Sequence, residues 1–427
     1  MLDIQFIREH ADIVKESQRK RGESVELVDE VLRSDETRRS ALKELEARAQ
    51  QKEIGKKVAA APADEKAALI AQTKELSAKV AEYKAAADAA AEEYTTAMWK
   101  LSNVVEPEAP EGGEDDYVVV KKVGQPRDFA AEGFEPKDHL TLGTGVAGID
   151  MRRGVKVGGS RFYFLRGAVA RMQIAMLTMA VDQAEKHGFV LAITPTLVRP
   201  EVMAGTGFLN SHADEIYRLR EPDEQYLVGT SEVALAGMHE NEILDLSNGP
   251  LRYCGWSSCY RREAGAAGKD TSGIIRVHQF DKVEMFVYTK QEDSYKEHQH
   301  LLSMEEEMLA KVEVPYRVID TAAGDLGSSA ARKFDTEAWI PTQGRYRELT
   351  STSNCTEYQA RRLNIRERNE DGSTRAVSTL NGTLATTRWL VAILENHQQK
   401  DGSIEIPQAM RPYMGGKEVI EPTKWEA

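Results

Sequence analysis

The 427-residue sequence has little cysteine and no long apolar run. Its three cysteines, Cys254, Cys259 and Cys355, are too few and wrongly spaced for a disulfide framework, and the first two lack neighbouring histidines that could complete a zinc site. No segment approaches the ~18 apolar residues that span a membrane, and the first residues do not resemble a signal peptide. These absences predict a cytoplasmic protein without a membrane partner.

Positive charge is also in deficit, with 56 Lys+Arg against 69 Asp+Glu and a net charge of −13. This acidity argues against indiscriminate nucleic-acid binding, but it leaves room for a local basic surface. No G-x-x-x-x-G-K-[ST] sequence occurs, which argues against a P-loop nucleotide fold. At roughly 150 residues per domain, the length predicts two or three domains.

The first hundred residues have a helical composition. Between residues 73 and 101, a 4-3-4-3 spacing marks a mostly apolar seam: Thr73, Leu76, Val80, Tyr83, Ala87, Ala90, Tyr94, Ala97 and Leu101. Residues 26–57 offer a less regular seam: Leu27, Val31, Leu42, Leu45 and Ala49. Pro62 breaks the pattern, and Asp64 offers a new helix cap. We therefore predict an antiparallel two-helix coiled-coil arm at about 26–101, within an N-terminal domain of residues 1–103.

The rest of the chain has a mixed pattern. Residues 104–129 are rich in proline, glycine and acids, and this composition predicts a linker that ends in a first strand. Residues 130–427 alternate β-rich runs with helical stretches at 169–187, 294–311 and 384–399. The predicted fold class is α+β, in which the N-terminal arm is followed by a mainly antiparallel sheet flanked by helices.

Residues 259–286 carry an unusual number of charges around a glycine-rich turn. Arginines offer planar forks for phosphate oxygens, a glycine-rich turn can close over a ligand, and Phe280 offers a ring face on which a base can stack. These features together indicate ATP binding. The alternative is an exposed hairpin with cross-strand ion pairs.

This stretch resembles motif 2 of the class II aminoacyl-tRNA synthetases, and its reading RREAGAAGKDTSGIIRVHQFDKVEM is similar to the seryl-tRNA synthetase version. The run GFVLAITPTLVRP resembles the dimer-forming motif 1, and LVGTSEVALAGMH carries a serine-recognition triplet at 230–232. The run from NGTLATTRWL onward resembles motif 3 and carries its arginine at Arg388. The run YRELTSTSNCTEYQARR resembles the strand that carries the metal-binding acid. The N-terminal arm resembles the tRNA-binding arm of the family, so the resemblance spans essentially the whole chain.

The resemblance implies a role for each matched residue. Arg261, Arg388 and Glu348 would be catalytic. The implied serine-binding residues are Thr230, Ser231, Glu232, Arg261, Glu284, Asn381 and Thr383. The implied ATP-binding residues are Arg261, Arg262, Glu263, Arg276, Val277, Phe280, Glu348, Leu349, Thr350, Ser351 and Arg388. Glu348 and Ser351 would hold Mg²⁺.

Taken singly, several of these residues have ordinary structural alternatives. Glu348 could pair with Arg345 or Arg347, Phe280 could be a core aromatic, and Thr383 could cap a helix that begins at Leu384. The chain also departs from the family pattern, because motif 3 has one residue fewer before its arginine. This departure leaves the assignment of Thr383 weaker than that of Arg388.

The first arm helix has a local excess of positive charge between residues 38 and 57, where the sequence contains seven basic residues and three acidic ones. These basic residues are Arg38, Arg39, Lys43, Arg48, Lys52, Lys56 and Lys57. Lysines and arginines that contact phosphates supply affinity without reading bases, so this stripe predicts tRNA binding. The alternative is a solvated helix face.

The resemblance as a whole implies a homodimeric enzyme that uses ATP and Mg²⁺ to ligate L-serine to tRNA(Ser) through a seryl-adenylate. Whether it also charges tRNA(Sec) is left open by the sequence. Two alternatives remain at this point. One is a related amino-acid:carrier-protein ligase, and the other is a non-catalytic coiled-coil RNA-binding protein.

Overall fold

The computed structural model describes residues 1–54, 66–211, 213–265, 270 and 272–424, with the side chains of residues 47–54, 66–76, 210 and 211 left out. The chain divides into two compact units, Met1–Val104 and Val105–Ala427. Within the described ranges, no helix combines the length and the apolar character needed to cross a membrane.

The first unit is helical. Its helices are α1 (Ile4–Glu9), α2 (Ala11–Lys20), α3 (Glu26–Ile54) and α4 (Lys66–Lys100). Helices α3 and α4 run antiparallel, because Glu30 of α3 pairs with Lys100 at the end of α4 while Arg38 lies over the ring of Tyr94. At ~1.5 Å per residue, the 35 residues of α4 extend for about 52 Å.

The predicted seam of α4 is confirmed where its side chains are described. Ala87, Ala90, Ala97 and Leu101 are buried, and Val80, Tyr83 and Tyr94 are half-buried. The prediction for Leu42 in α3 is wrong, since this side chain is 40% exposed. Pro62 and Asp64 lie outside the described residues.

The second unit is α+β. Its helices are α5 (His139–Gly145), α6 (Met151–Gly158), α7 (Gly167–Lys186), α8 (Pro200–Gly205), α9 (Phe208–Ser211), α10 (Glu232–Gly237), α11 (Ser294–Val312), α12 (Tyr358–Leu363) and α13 (Trp389–Asn396). Its strands are β1 (Val118–Val123), β2 (Ile149–Asp150), β3 (Phe164–Leu165), β4 (Val190–Ile193), β5 (Leu197–Val198), β6 (Tyr226–Leu227), β7 (Ile243–Leu244), β8 (Leu251–Tyr260), β9 (Gln279–Thr289), β10 (Tyr316–Asp320), β11 (Arg332–Ile340), β12 (Arg345–Asn354), β13 (Arg366–Arg368), β14 (Thr374–Ala376), β15 (Ser378–Thr386), β16 (Ile404–Glu405) and β17 (Val419–Ile420).

Among the described residues, eight strands form one sheet in the order β1-β10-β11-β12-β15-β9-β8-β4. Neighbouring strands are antiparallel except β4 and β8, which are parallel, so the mainly antiparallel prediction is confirmed. Strand residues alternate between the two faces of the sheet. Val283, Met285 and Val287 of β9 enter the core cluster that includes Met176 of α7 and Leu301 of α11.

The helices predicted at 169–187 and 294–311 are confirmed as α7 and α11, whereas the prediction at 384–399 is partly wrong. Leu384 belongs to strand β15, and the helix begins five residues later at Trp389. The apolar residues from Leu384 to Leu394 are buried in the strand and in the helix alike, and an apolar stretch does not distinguish a buried strand from a buried helix. Thr383 therefore lies within a strand and does not cap a helix.

Candidate active site

A cavity of about 540 Å³ opens over the central strands of the large sheet. It brings together most of the predicted site residues: Thr230, Glu232, Arg261, Glu263, Arg276, Val277, Phe280, Glu284, Glu348, Leu349, Ser351, Asn381, Thr383 and Arg388. Side chains that are separated by up to 158 positions in the sequence thus line one cavity.

Three predicted site residues lie beside the cavity without lining it. Ser231 and Thr350 are buried, and their hydroxyls donate to the carbonyls of Gly255 and Thr383 respectively. The backbone N–H of Arg262 donates to the Glu215 carbonyl at 2.8 Å. These contacts hold neighbouring segments together around the cavity.

Two β-bulges aim the side chains of the cavity floor. Glu348 and Ser351 are three residues apart, a spacing that places two side chains on opposite faces of a regular strand. Both line the cavity, because the pairing of β12 with β11 skips Leu349. The pairing of β15 with β9 similarly skips Leu384, and Thr383 and Thr386 both face the cavity. Bulges commonly re-aim side chains at functional sites in this way.

One end of the cavity carries two buried carboxylates, which are expected to bind serine. Glu232 begins helix α10, and Gln359 Nε2 donates to its Oε1 at 2.8 Å. Gln359 is itself oriented by the Thr379 hydroxyl, which donates to Gln359 Oε1 at 2.8 Å. Burial, assisted by the negative charge of Glu284, raises the pKa of Glu232 to about 7. Glu284 accepts a hydrogen bond of 2.9 Å from the hydroxyl of Thr383, its cross-strand partner.

Lys282 also belongs to this end of the cavity, and the sequence analysis assigned it no role. Its ammonium donates to Thr230 Oγ1 at 2.7 Å and lies 2.6 Å from Glu284 Oε2. Lys282 lies two residues before Glu284 in β9, so strand alternation could have placed both on one face. Strand alternation carries no information about Thr230, which lies 52 residues earlier in the chain and outside the strands.

Arginines also line the cavity. The guanidinium of Arg261 lies over the Phe280 ring at 5.1 Å from its centre. Arg388 Nε donates to the Ile275 carbonyl at 3.2 Å, and its Nη1 donates to the Glu348 carbonyl at 3.0 Å. Phe280 is thus a cavity residue as well as a neighbour of the core.

The structural alternative for Glu348 is wrong, because Arg347 pairs with Asp270 at 2.6 Å and Arg345 contacts Gln343. Glu348 is exposed within the cavity. Its partial removal from water acts to raise its pKa, yet the charges of Arg388 and Lys333 outweigh this effect and hold the pKa of Glu348 below its ordinary value. Glu348 therefore keeps a negative charge among arginines.

A corner of the cavity near Glu348 combines Ser351 with Lys333, a second residue that the sequence analysis missed. Lys333 pairs with Asp335 at 3.2 Å and with Asp325 at 3.6 Å. Across the described part of the chain, no group of three or more histidine, cysteine or acidic side chains could hold a metal. One carboxylate and one hydroxyl suit Mg²⁺, which binds few protein oxygens and takes its other ligands from phosphates and water.

The predicted tRNA-binding stripe is described only in part. Arg38 and Arg39 pair with the buried Asp35 at 3.0 and 3.1 Å, and Lys43 is exposed. Arg48 and Lys52 lie in helix α3, but their side chains are outside the described residues, as are Lys56 and Lys57 entirely.

Comparisons with known proteins cover the whole chain. Residues 1–105 match the family model of the seryl-tRNA synthetase N-terminal domain, and residues 217–397 match the tRNA synthetase class II core domain (G, H, P, S and T). A serine--tRNA ligase of Bifidobacterium adolescentis is 93% identical over 100% of both chains.

Two solved structures are also similar. Seryl-tRNA synthetase from Pyrococcus horikoshii, crystallised with ATP, has 40% identity and a TM-score of 0.91 and covers 99% of this chain and 100% of its own. The cytoplasmic serine-tRNA ligase of Naegleria fowleri, in complex with AMP, has 34% identity and a TM-score of 0.88, with 99% of both chains covered.

Proposed function

The chain belongs to the seryl-tRNA synthetase family, and we propose that it ligates L-serine to tRNA(Ser) in two ATP-dependent steps. Residues 130–427 form the catalytic domain, residues 1–103 bind tRNA, and residues 104–129 connect them. The observation that carries this proposal is the convergence of Glu232, Glu284, Arg261, Arg388 and Glu348 on one cavity. The enzyme works in the cytoplasm, where its substrates meet.

In the first step, a serine carboxylate oxygen attacks the α-phosphorus of ATP, and pyrophosphate leaves as seryl-adenylate forms. Arg261 and Arg388 are expected to bind the carboxylate and phosphate oxygens, so that their positive charge stabilises the negative charge of the transition state. The contacts of Arg388 with the Ile275 and Glu348 carbonyls hold its guanidinium in place before ATP binds. Phe280 supplies a ring face for the adenine, and Glu263 an acceptor for its amino group.

Glu348 and Ser351 are proposed to hold Mg²⁺, which when bound neutralises phosphate charge. Two features support this assignment. The pKa of Glu348 is held low, so the carboxylate is ionised at neutral pH, and the bulge at Leu349 brings Ser351 to the same face.

The carboxylate end of the cavity is proposed to select serine. Glu232 and Glu284 face the substrate ammonium, while Thr383 and Asn381 lie near its hydroxyl. Because these polar groups are buried, alanine would leave unmade the hydrogen bonds that they are expected to form with the serine hydroxyl, which costs roughly 1–3 kcal/mol per group. The packed walls of the cavity would exclude the extra methyl group of threonine by size.

In the second step, the terminal ribose 3′-hydroxyl of tRNA attacks the carbonyl of the mixed anhydride, and AMP leaves. The tRNA itself is proposed to bind the basic stripe of α3 through its phosphates. The same proposal extends to tRNA(Sec) as a second candidate substrate.

A homodimer is the proposed assembly, and exposed apolar residues of the motif 1 region support it. Ile174 of α7 is 50% exposed, and Val190 and Ile193 of the edge strand β4 are 61% and 76% exposed. Apolar side chains on an uncovered strand and helix are typical of a subunit interface. The same segment from each subunit would form a two-fold contact.

Serine-dependent exchange of pyrophosphate into ATP, followed by charging of total tRNA, tests the proposed function. We expect both activities. Exchange without charging would instead indicate a carrier-protein ligase, and the absence of both would indicate a non-catalytic RNA-binding protein.

A further inference from the structure

A buried histidine and a buried glutamate lie behind the wall of the cavity without lining it. His139 begins helix α5 and is 5% exposed, and Glu395 lies near the end of α13 and is 1% exposed. Glu395 Oε1 accepts the backbone N–H of His139 at 3.0 Å and lies 3.0 Å from its Nδ1. The other oxygen, Oε2, accepts from the backbone N–H and the hydroxyl of Thr342. The carboxylate is thus satisfied by four donors.

The hydrogen bonds of His139 define which ring nitrogen carries the proton. The backbone N–H of Ile274 donates to Nε2 at 3.1 Å, so Nε2 must present a lone pair. The proton of the neutral ring therefore sits on Nδ1, where it faces Glu395. A continuous chain results, running from Glu395 through the imidazole to the backbone of Ile274.

The segment that His139 holds forms part of the cavity wall. Ile274, Ile275, Arg276 and Val277 all line the cavity, and the Ile275 carbonyl accepts from Arg388 Nε. Gly273, just before this segment, has a φ of +79°, and a Cβ there would overlap His139 Nε2. The close approach of the backbone to the ring thus requires glycine at this position.

We infer that His139, backed by Glu395, is a positioning residue for ATP: its Nε2 fixes the Ile274 N–H and with it the wall of Ile275, Arg276 and Val277. The inference rests on the proposed function, in which this wall contacts the nucleotide. It assigns no contact between His139 and either substrate. Because the Ile275 carbonyl accepts from Arg388, which is expected to bind ATP, removal of the hydrogen bond should weaken ATP binding more than serine binding.

Two substitutions of similar size distinguish an effect on the position of the cavity wall from a general loss of protein stability. In His139→Gln, the amide can reach the place of Nε2 and accept from Ile274, whereas in His139→Asn it reaches only the place of Nδ1. We expect His139→Asn to raise the KM for ATP about tenfold, the factor that one ordinary hydrogen bond supplies, with little change in the KM for serine. His139→Gln should restore most of the ATP affinity, and Gly273→Ala should resemble His139→Asn.

Pyrophosphate exchange at varied ATP and serine gives both KM values, and hydrogen exchange reports the Ile274 amide directly. That amide should be protected in the unsubstituted protein and in His139→Gln, and unprotected in His139→Asn. Equal rises in the two KM values, or identical behaviour of the Asn and Gln variants, would overturn the inference. If the unsubstituted protein shows no serine-dependent pyrophosphate exchange, the proposed function fails. Protection of the Ile274 amide from hydrogen exchange then still decides whether His139 fixes the position of the cavity wall.

Discussion

Lys282 and Glu284 form a buried ion pair inside the cavity, with 2.6 Å between the ammonium nitrogen and carboxylate Oε2. The same ammonium donates to the hydroxyl of Thr230, which is also expected to bind serine. Lys282 therefore offsets one of the two negative charges of Glu232 and Glu284. One net negative charge remains, which matches a single substrate ammonium.

This charge balance predicts how serine use depends on pH. The pKa of Glu232 is raised to about 7, so its carboxyl takes up a proton as the pH falls through that value. A neutral acid attracts an ammonium less strongly than a carboxylate does. We expect kcat/KM for serine to rise with pH up to about 7 and then to level off.

Lys282→Met should move the midpoint of this pH profile upward, because the positive charge of Lys282 lowers the pKa of Glu232. At pH 7 we expect kcat/KM for serine to fall by roughly tenfold or more, as for a charged hydrogen bond. Lys121→Met is the control, since Lys121 pairs with Glu306 at 2.7 Å on the edge strand β1, away from the residues that line the cavity. An unshifted midpoint in the Lys282 variant would contradict the charge balance.

Glu232→Ala should raise the KM for serine far more than the KM for ATP. A carboxylate that faces a partly desolvated ammonium contributes roughly 1.5–3 kcal/mol, or about 10- to 150-fold. The comparison is Glu263→Ala, which removes the carboxylate expected at the adenine and should affect mainly the KM for ATP. Pyrophosphate exchange with each substrate varied in turn measures both. Similar changes in the two KM values for Glu232→Ala would argue against its role.

Glu348→Ala should abolish Mg²⁺-dependent adenylation while the protein keeps its fold and its assembly, because this side chain faces the cavity and not the core. Glu292→Ala provides a control at an exposed acid that pairs with Arg375 outside the cavity. The measurement is pyrophosphate exchange across a Mg²⁺ titration, with sedimentation to check assembly. Unchanged exchange in Glu348→Ala would refute the metal role.

The sequence could predict the composition of the site better than its geometry. Motif matches identified Arg261, Glu284 and Arg388, and the cavity contains all three. The bulge at Leu349 was not predictable, because nothing in the spacing of Glu348 and Ser351 shows that a strand is interrupted between them. His139 was missed for another reason: its partners Glu395 and Ile274 are more than a hundred residues away, so no local pattern links them.

Ile193→Glu should convert a homodimer into a monomer. Ile193 is 76% exposed on the edge strand β4, so a charge there should disturb an interface without affecting the fold of one chain. Val118→Glu is the matched control on β1 at the other edge of the sheet, where Val118 is 53% exposed. Sedimentation velocity at micromolar concentration distinguishes the states. A single 47.6 kDa species for the unsubstituted protein would rule out the dimer.

Removal of the distal arm should separate tRNA charging from adenylation. Replacing residues 40–91 by a short Gly/Ser linker keeps the Glu30–Lys100 ion pair, the Arg38–Tyr94 contact and the buried Val28 and Val31. Serine-dependent pyrophosphate exchange should then stay within a few-fold of the intact protein, because every described residue that lines the cavity lies beyond Val104. Efficient charging of tRNA should disappear.

A second variant distinguishes the contribution of the arm's positive charge to tRNA binding from the contribution of its shape. Replacing the five basic residues of the stripe that follow Arg39 with glutamine should preserve helix α3, because glutamine is a good helix former, and should remove the proposed phosphate contacts. These residues are Lys43, Arg48, Lys52, Lys56 and Lys57. Charging by the intact protein should weaken steeply with added salt. The glutamine variant should show a smaller slope of log affinity against log salt, by about 0.7–0.9 for each phosphate that the protein no longer neutralises. Normal charging by the truncated protein would show that the arm does not bind tRNA. An unchanged salt slope in the glutamine variant would show that these five residues do not bind its phosphates.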